Sequence, residues 1–216
     1  MQIGSTEFVL IRWKNRESMF EWIKKGIKRI RRWIERVLIA IRAALGIPPF
    51  KGQSPCAPKY EPVKWNDCPN PDSQTGRCDR NQQNHQNHKQ GKNNCYNYAC
   101  NIQNDTYADP GRGDGKPLPP YPVPISCDDV AAAAKVDGLM PAKREESCPK
   151  CCYKVALVLS PHPDNSKLGL DYHWYRQDDN GRWSHKRGST KVTDKDASGK
   201  TIYDPEKADR GPYTIF

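Results

Sequence analysis

The 216-residue sequence has no run of about 18 uncharged apolar residues, the length that a membrane-spanning helix needs. It also lacks the apolar core of a secretory signal peptide near its start, because the first apolar stretch, 8–11, is too short for one. We therefore expect neither an ordinary spanning helix nor a classical signal peptide. A secreted or membrane-surface location would then require another export route.

The sequence is instead rich in basic residues, proline and glycine. Its 35 basic and 25 acidic residues give a formal net charge of +10, which favours anionic partners such as phospholipid, nucleic acid or acidic wall polymer. The 19 prolines and 15 glycines, together with Asn/Gln-rich stretches, predict a large share of loop. The length predicts one modest domain plus an appendage.

The first part of the chain carries an amphipathic pattern. Apolar residues recur at helical spacing from Met19 to Leu45, and Lys and Arg occupy the other face. This pattern is typical of a cationic helix that lies on an anionic bilayer. We predict such a segment over 1–49, with these membrane-binding residues: Trp22, Lys25, Arg29, Arg32, Trp33 and Arg36. Alternatively, the apolar stripe docks on the domain or on a partner helix. Nucleic-acid binding is less favoured, because a full apolar stripe accompanies the charge.

The remaining chain predicts an α+β fold. We expect residues 50–92 to form a Pro/Asn-rich linker or loop region, and residues 93–216 to form the domain that carries the candidate site residues. Helices are expected over 93–103 and 128–140, and strands over 150–160, 171–177 and 182–187. The Asp178-Asp179-Asn180-Gly181 turn predicts that the last two strands form a hairpin.

One cysteine and two histidines form a candidate catalytic set. Cys95 lies in the first turn of a predicted helix, where the helix N-terminus lowers a thiol pKa and favours a nucleophilic thiolate. His173 lies on a predicted strand and would act as general base. The hairpin would bring His185 beside His173, where it could fix the tautomer of the base.

These residues resemble a known family. The segment Asn94-Cys95-Tyr96-Asn97-Tyr98, followed by His173 and His185, is similar in order to the Cys–His–His set of NlpC-type cell-wall peptidases, within the papain-like thiol hydrolase superfamily. The resemblance covers about residues 95–190. It implies a papain-like helix packed on a small antiparallel sheet and a thiol hydrolase that cleaves amide bonds. Peptidoglycan peptides are the implied substrate, and a secreted effector or toxin would use the same chemistry. The sequence departs from the family motif where Asn94 and Tyr96-Asn97 replace an Asp and a Ser-Gly.

The nine cysteines raise a further possibility. An odd number fits a secreted protein with several disulfides and one remaining thiol, whereas a reducing compartment would leave all of them as thiols. Four cysteines are disulfide or metal candidates: Cys127, Cys148, Cys151 and Cys152. No second Cys-x-x-Cys pair completes a zinc site, so we predict no metal and no cofactor.

An alternative function needs no catalysis. The cysteine-rich domain would then be a disulfide-stapled binding module, and the N-terminal helix would be a membrane-active or partner-docking segment. A cross-linked Cys95, or a Cys95 far from His173, would favour this alternative.

Overall fold

A computed structural model describes most of the chain beyond the predicted N-terminal helix. The described residues are 9–13, 56–68, 72–78, 89–144, 146, 148, 152–163 and 165–216. The predicted N-terminal helix and its membrane-binding residues (Trp22, Lys25, Arg29, Arg32, Trp33 and Arg36) lie outside this set. Within it, no helix combines the length and apolar character needed to cross a bilayer.

An antiparallel sheet forms the centre of the domain, with strand order β2-β1-β3-β4-β5-β6. The strands are β1 (Val9–Trp13), β2 (Leu139–Ala142), β3 (Cys152–His162), β4 (Asn165–Gln177), β5 (Trp183–Lys186) and β6 (Val192–Thr193). The predicted turn closes the β4–β5 hairpin, where Gly181 adopts a positive φ of 78° and its N–H donates to the Asp178 carbonyl at 2.9 Å.

In the described part of the chain, four short helices accompany the sheet. They are α1 (Pro62–Trp65), α2 (Lys89–Lys92), α3 (Cys95–Cys100) and α4 (Cys127–Val136). A capping box starts α4, in which the Ser126 hydroxyl accepts from the Asp129 N–H and the Asp129 carboxylate accepts from the Ser126 N–H. The α+β prediction is confirmed.

Both faces of the central strands are covered. Alternate residues of a strand point to opposite faces, and the two sets enter different clusters. Leu157 and Trp174 pack with α3 and α4. Val158 and Tyr175 pack instead with Ile202 and Tyr213 of the C-terminal segment. The final residues, to which the sequence assigned no role, thus cover the second face of the sheet.

Part of the predicted linker also belongs to the domain. Trp65 of α1 is buried and its ring lies 5.0 Å from that of Tyr98, at 80°. Val192 of β6 packs in one cluster with Trp65 and Tyr98. Ala57 packs in the larger hydrophobic cluster on the α3 side of the sheet. Residues 56–68 therefore contribute core side chains.

Candidate functional site

Helix α3 begins at Cys95 because the preceding residue caps it. The Asn94 side-chain oxygen accepts from the Tyr96 and Asn97 N–H groups at 3.0 and 3.1 Å, and the Asn97 side-chain oxygen accepts from the Asn94 N–H. Asn101 ends the helix in the left-handed conformation, with φ 55°. Cys95 is thus fixed in the first turn of a buried helix.

The Cys95 environment disfavours a thiolate. Burial raises the pKa of Cys95 to about 12, and the nearby Asp171 carboxylate adds to this rise. The thiol is only 6% exposed and packs in the cluster that contains Trp174. The lowered pKa expected of a catalytic nucleophile is therefore not found, because desolvation of the thiol outweighs the effect of so short a helix.

His173 and His185 form a buried pair. Their Nε2 and Nδ1 atoms lie 2.7 Å apart, and the His185 Nε2 lies 2.9 Å from the Lys195 carbonyl oxygen. Since that carbonyl can only accept, His185 donates from Nε2 and accepts at Nδ1 from the His173 Nε2–H. In the pairing of β4 with β5, His185 lies opposite Tyr175, which is two residues after His173. The two imidazole rings therefore contact each other diagonally across the two strands.

The two faces of β4 are covered by different segments. The His173 ring packs against Tyr175 and Tyr213, with ring centroids 5.1 and 5.0 Å away, on the face covered by the C-terminal segment. Trp174 points to the other face, where it meets Tyr96 of α3. The structure brings His173 and His185 together. Cys95 begins α3 on the Trp174 side, and its thiol lies close to the Trp174 backbone, next in the chain to His173. The catalytic roles of these three residues stay a prediction.

Both histidines are neutral at pH 7. Burial lowers the pKa of His173 well below its usual value and lowers that of His185 to about 4. For His173, the neighbouring His185 and Arg187 lower the pKa further. For His185, the Lys195 carbonyl opposes the shift and Arg187 adds to it. A neutral, tautomer-locked pair of this kind holds the C-terminal segment against the sheet.

This pair predicts acid sensitivity. A histidine whose pKa is depressed on folding contributes stability above pH 6.5 that is lost as the pH falls toward 4. The shift at His185 alone corresponds to about 3 kcal/mol. We expect the unfolding free energy, measured by urea denaturation across this range, to fall less steeply in His185→Asn. His162→Asn, at the end of β3, is the matched control and should keep the wild-type profile. Identical profiles for wild type and His185→Asn would contradict the prediction.

The other predicted site residues with a described position lie at the start of α4 and around the start of β3. Cys127 starts α4 and is buried, Cys152 starts β3, and Cys148 is half-buried beside it; Cys151 lies outside the described residues. A disulfide joins Cys68 to Cys78. In the described part of the chain, no three His, Cys, Asp or Glu side chains are grouped so as to hold a metal ion.

A buried polar network was missed by the sequence analysis. Arg176 donates to the Tyr98 hydroxyl at 2.7 Å, Tyr98 donates to Ser184 at 2.7 Å, and Ser184 donates to Asp178 at 2.6 Å. Arg176 also pairs directly with Asp178 at 2.8 Å. The available signal was the position of Arg176 two residues after Trp174, on the same face of β4.

Comparison with known proteins places the chain in a class. It belongs to a family of shell matrix proteins. The relative that shows this is insoluble matrix shell protein 1 of Ruditapes philippinarum, 38% identical over 161 residues, which cover 74% of this chain and 87% of that protein. No protein-family model and no solved structure matches.

This relationship corrects the predicted function. A thiol hydrolase, whether a peptidoglycan peptidase or a toxin, was the leading prediction from the sequence, and it is wrong. The family member is an insoluble shell matrix protein, and the alternative of a non-catalytic, disulfide-stapled module fits it better. The raised pKa of the buried Cys95 thiol agrees with that correction.

Proposed function

We propose that the chain is a non-catalytic structural module of an extracellular matrix. The observation that carries this proposal is the match to a shell matrix protein over most of both chains. The Cys68–Cys78 disulfide supports it, because disulfides persist in oxidising, extracellular surroundings. The polar core of Arg176, Asp178 and Lys186 supports a rigid scaffold.

The charge distribution supports an acidic matrix polymer as the partner. Residues 1–49 contain 11 Lys and Arg but 4 Glu, a net of +7 out of the +10 for the whole chain. The module that follows is therefore close to neutral. A cationic segment on a neutral scaffold attracts polyanions such as carboxylated or sulfated polysaccharides, and salt weakens the attraction.

The resemblance to papain-like proteins is retained as a proposal about the fold alone. A helix that begins at a cysteine, here α3, packs on an antiparallel sheet next to β4 and β5. This arrangement supports a papain-like scaffold, and the raised pKa of Cys95 supports the absence of its chemistry.

Co-sedimentation with an acidic polysaccharide gel tests the proposed role. We expect the full chain to sediment with the gel at low salt and to be released by added salt. Charge removal in 1–49 (Lys25, Arg29, Arg32 and Arg36 to Gln) should weaken retention more than the same charge removal at four exposed lysines of the module (Lys64, Lys116, Lys135 and Lys200). Equal retention of the two variants would contradict the proposed partner.

The Cys95→Ser variant provides a second test of the proposed role. We expect this variant to sediment like the wild type, because the thiol takes no part in binding. We also expect neither protein to hydrolyse peptidoglycan peptides. Amide hydrolysis by the wild type that disappears in Cys95→Ser would overturn the non-catalytic role.

A further inference from the structure

The loop between α3 and α4 displays an Arg-Gly-Asp tripeptide. Residues 112–117 are all exposed, whereas Pro110 and Gly111 just before them are buried. The tripeptide Arg112-Gly113-Asp114 lies in this exposed stretch, between Gly111 and Gly115, whose φ angles are 73° and 71°. A guanidinium and a carboxylate are therefore presented two residues apart, with no side chain between them.

Two backbone hydrogen bonds close this loop. The Lys116 N–H donates to the Gly111 carbonyl at 2.9 Å, and the Gly115 N–H donates to the Arg112 carbonyl at 3.2 Å. Glycine is required at position 111, because φ is positive and a Cβ would lie 2.3 Å from the Lys116 carbonyl oxygen. The tripeptide is thus held in a defined turn.

Side chains of the domain fix the base of the loop. The Asp137 Oδ2 accepts from the Gly111 N–H at 2.8 Å and from the Tyr96 hydroxyl of α3 at 2.6 Å. The Asp109 Oδ1 accepts from the Tyr172 hydroxyl of β4 at 2.8 Å. Because both anchors belong to packed elements, the turn sits on a rigid support, which reduces the conformational entropy lost when a partner binds.

Both charged side chains of the tripeptide are accessible to a partner. Arg112 forms an ion pair with Asp109 and is still 60% exposed, and a surface pair of this kind contributes little. Asp114 is exposed, and its side chain has no hydrogen bond or ion pair with any residue that the structure describes. A Cβ placed on Gly113 would meet no atom within 4 Å, so the described residues leave this position uncovered.

We propose that Arg112-Gly113-Asp114 is an adhesion site for a cell-surface receptor that holds a divalent cation. The Asp114 carboxylate completes the coordination of the receptor's cation, because carboxylate oxygens are preferred ligands of Mg²⁺ and Ca²⁺. The Arg112 guanidinium forms a bidentate pair with a receptor carboxylate. Gly113 lets the receptor surface approach the loop backbone closely.

The mixed charge of the tripeptide distinguishes this partner from an acidic polymer. A polyanion attracts Arg112 but repels Asp114, whereas a receptor with a bound cation and an acidic pocket uses both charges. The inference rests on the extracellular location in the proposed function, which the Cys68–Cys78 disulfide supports. It does not depend on polysaccharide binding, which was assigned to residues 1–49.

Attachment of cells to surfaces coated with the full chain tests the proposal. Fibroblasts are plated in buffer with Mg²⁺ and Mn²⁺, and heparin is added to occupy the basic segment and suppress attachment by positive charge. We expect attachment that EDTA abolishes. The soluble peptide Gly-Arg-Gly-Asp-Gly, the sequence of residues 111–115, should inhibit it, whereas the peptide with Arg and Asp exchanged should not. Attachment that persists in EDTA would show adhesion by charge alone and overturn the proposal, as would a lack of attachment.

Two conservative variants locate the contact. Asp114→Glu keeps the charge but moves the carboxylate by one methylene, and we expect the coating concentration for half-maximal attachment to rise about ten-fold or more. Gly113→Ala should have an effect of similar size, although the added methyl group meets no atom of this chain. Asp128→Glu, at an exposed position in the first turn of α4, is the matched control and should attach cells like the wild type.

Two further measurements separate this inference from the matrix role. Asp114→Glu and Gly113→Ala should unfold in urea like the wild type and should sediment normally with the acidic polysaccharide gel. Wild-type attachment by both variants would overturn the adhesion site and leave polysaccharide binding unaffected. Loss of sedimentation by charge removal in 1–49 should conversely leave the EDTA-sensitive attachment unchanged.

Discussion

Replacing Arg176 with methionine is expected to lower the free energy of unfolding by about 3–5 kcal/mol, the cost of breaking a buried ion pair from one side. The Arg176 side chain is fully buried and its partner Asp178 is 1% exposed. The guanidinium also donates to the Lys59 carbonyl at 3.2 Å and lies 3.9 Å over the Tyr98 ring. Methionine restores much of the volume but none of these hydrogen bonds, so the Asp178 carboxylate is left buried without its counter-charge.

Urea denaturation of the wild type and of Arg176→Met measures this loss of unfolding free energy. The dependence of the loss on pH identifies its cause. Burial already raises the pKa of Asp178, while Arg176 and Ser184 oppose that rise. Without Arg176 the pKa of this carboxyl rises further, so the loss should shrink as the pH is lowered and the carboxyl is protonated. Arg182→Met, on the exposed side of the same hairpin, is the matched control and should change stability by less than about 0.5 kcal/mol. An Arg176→Met loss no greater than that of the control would contradict the prediction.

Replacing Lys186 with methionine is expected to cost about 3 kcal/mol at neutral pH. The Lys186 ammonium donates to three backbone carbonyls, those of Gln90, Asn93 and Gly188, the last at 2.7 Å. Two of these carbonyls belong to α2 and the residue just after it, so this side chain fixes α2 to β5. Methionine leaves all three carbonyl acceptors, two of them in buried residues, without this donor.

The loss at Lys186 should grow with pH. Burial lowers the pKa of Lys186 to about 7, from 10.5, although the Cys95 and Asp67 groups favour its charge. A lysine with a depressed folded pKa contributes stability above pH 10.5 that is lost as the pH falls toward 7. The wild type should therefore gain stability over this range by more than Lys186→Met does, in denaturant titrations. Lys191→Met, at an exposed site beside β6, should reproduce the wild-type slope, and an equal slope in Lys186→Met would contradict the assignment.

Local patterns in the sequence predicted the elements well. Alternation over 150–160 predicted β3, and Asn180-Gly181 predicted the β4–β5 turn, because both signals depend only on neighbouring residues. The helix predicted over 93–103 is found as the shorter α3, which the Asn94 cap begins at Cys95. The meeting of His173 with His185 depended on the hairpin alone, and the structure places the two rings in contact.

Long-range placement was outside the reach of these patterns. A period of two assigns His173 and Trp174 to opposite faces of β4, but it does not say which face α3 covers. The C-terminal segment covers the face of β4 that α3 does not cover. His173 and Trp174 are therefore both buried, and their burial does not show which of the two faces α3. The polar core was missed for a related reason, since Arg176 and Lys186 resemble solvent-exposed strand residues until their partners from α3 and α2 are known.

The sequence by itself determined the α+β class, the hairpin, the helix starts and the excess of positive charge, because each depends on residues close together in the chain. Only the tertiary structure decided which distant segments cover the two faces of β4. Desolvation by distant segments also set the pKa of Cys95 to about 12 and that of His185 to about 4. Burial is a property of the whole packed chain, and here it turned a predicted nucleophile into a core residue.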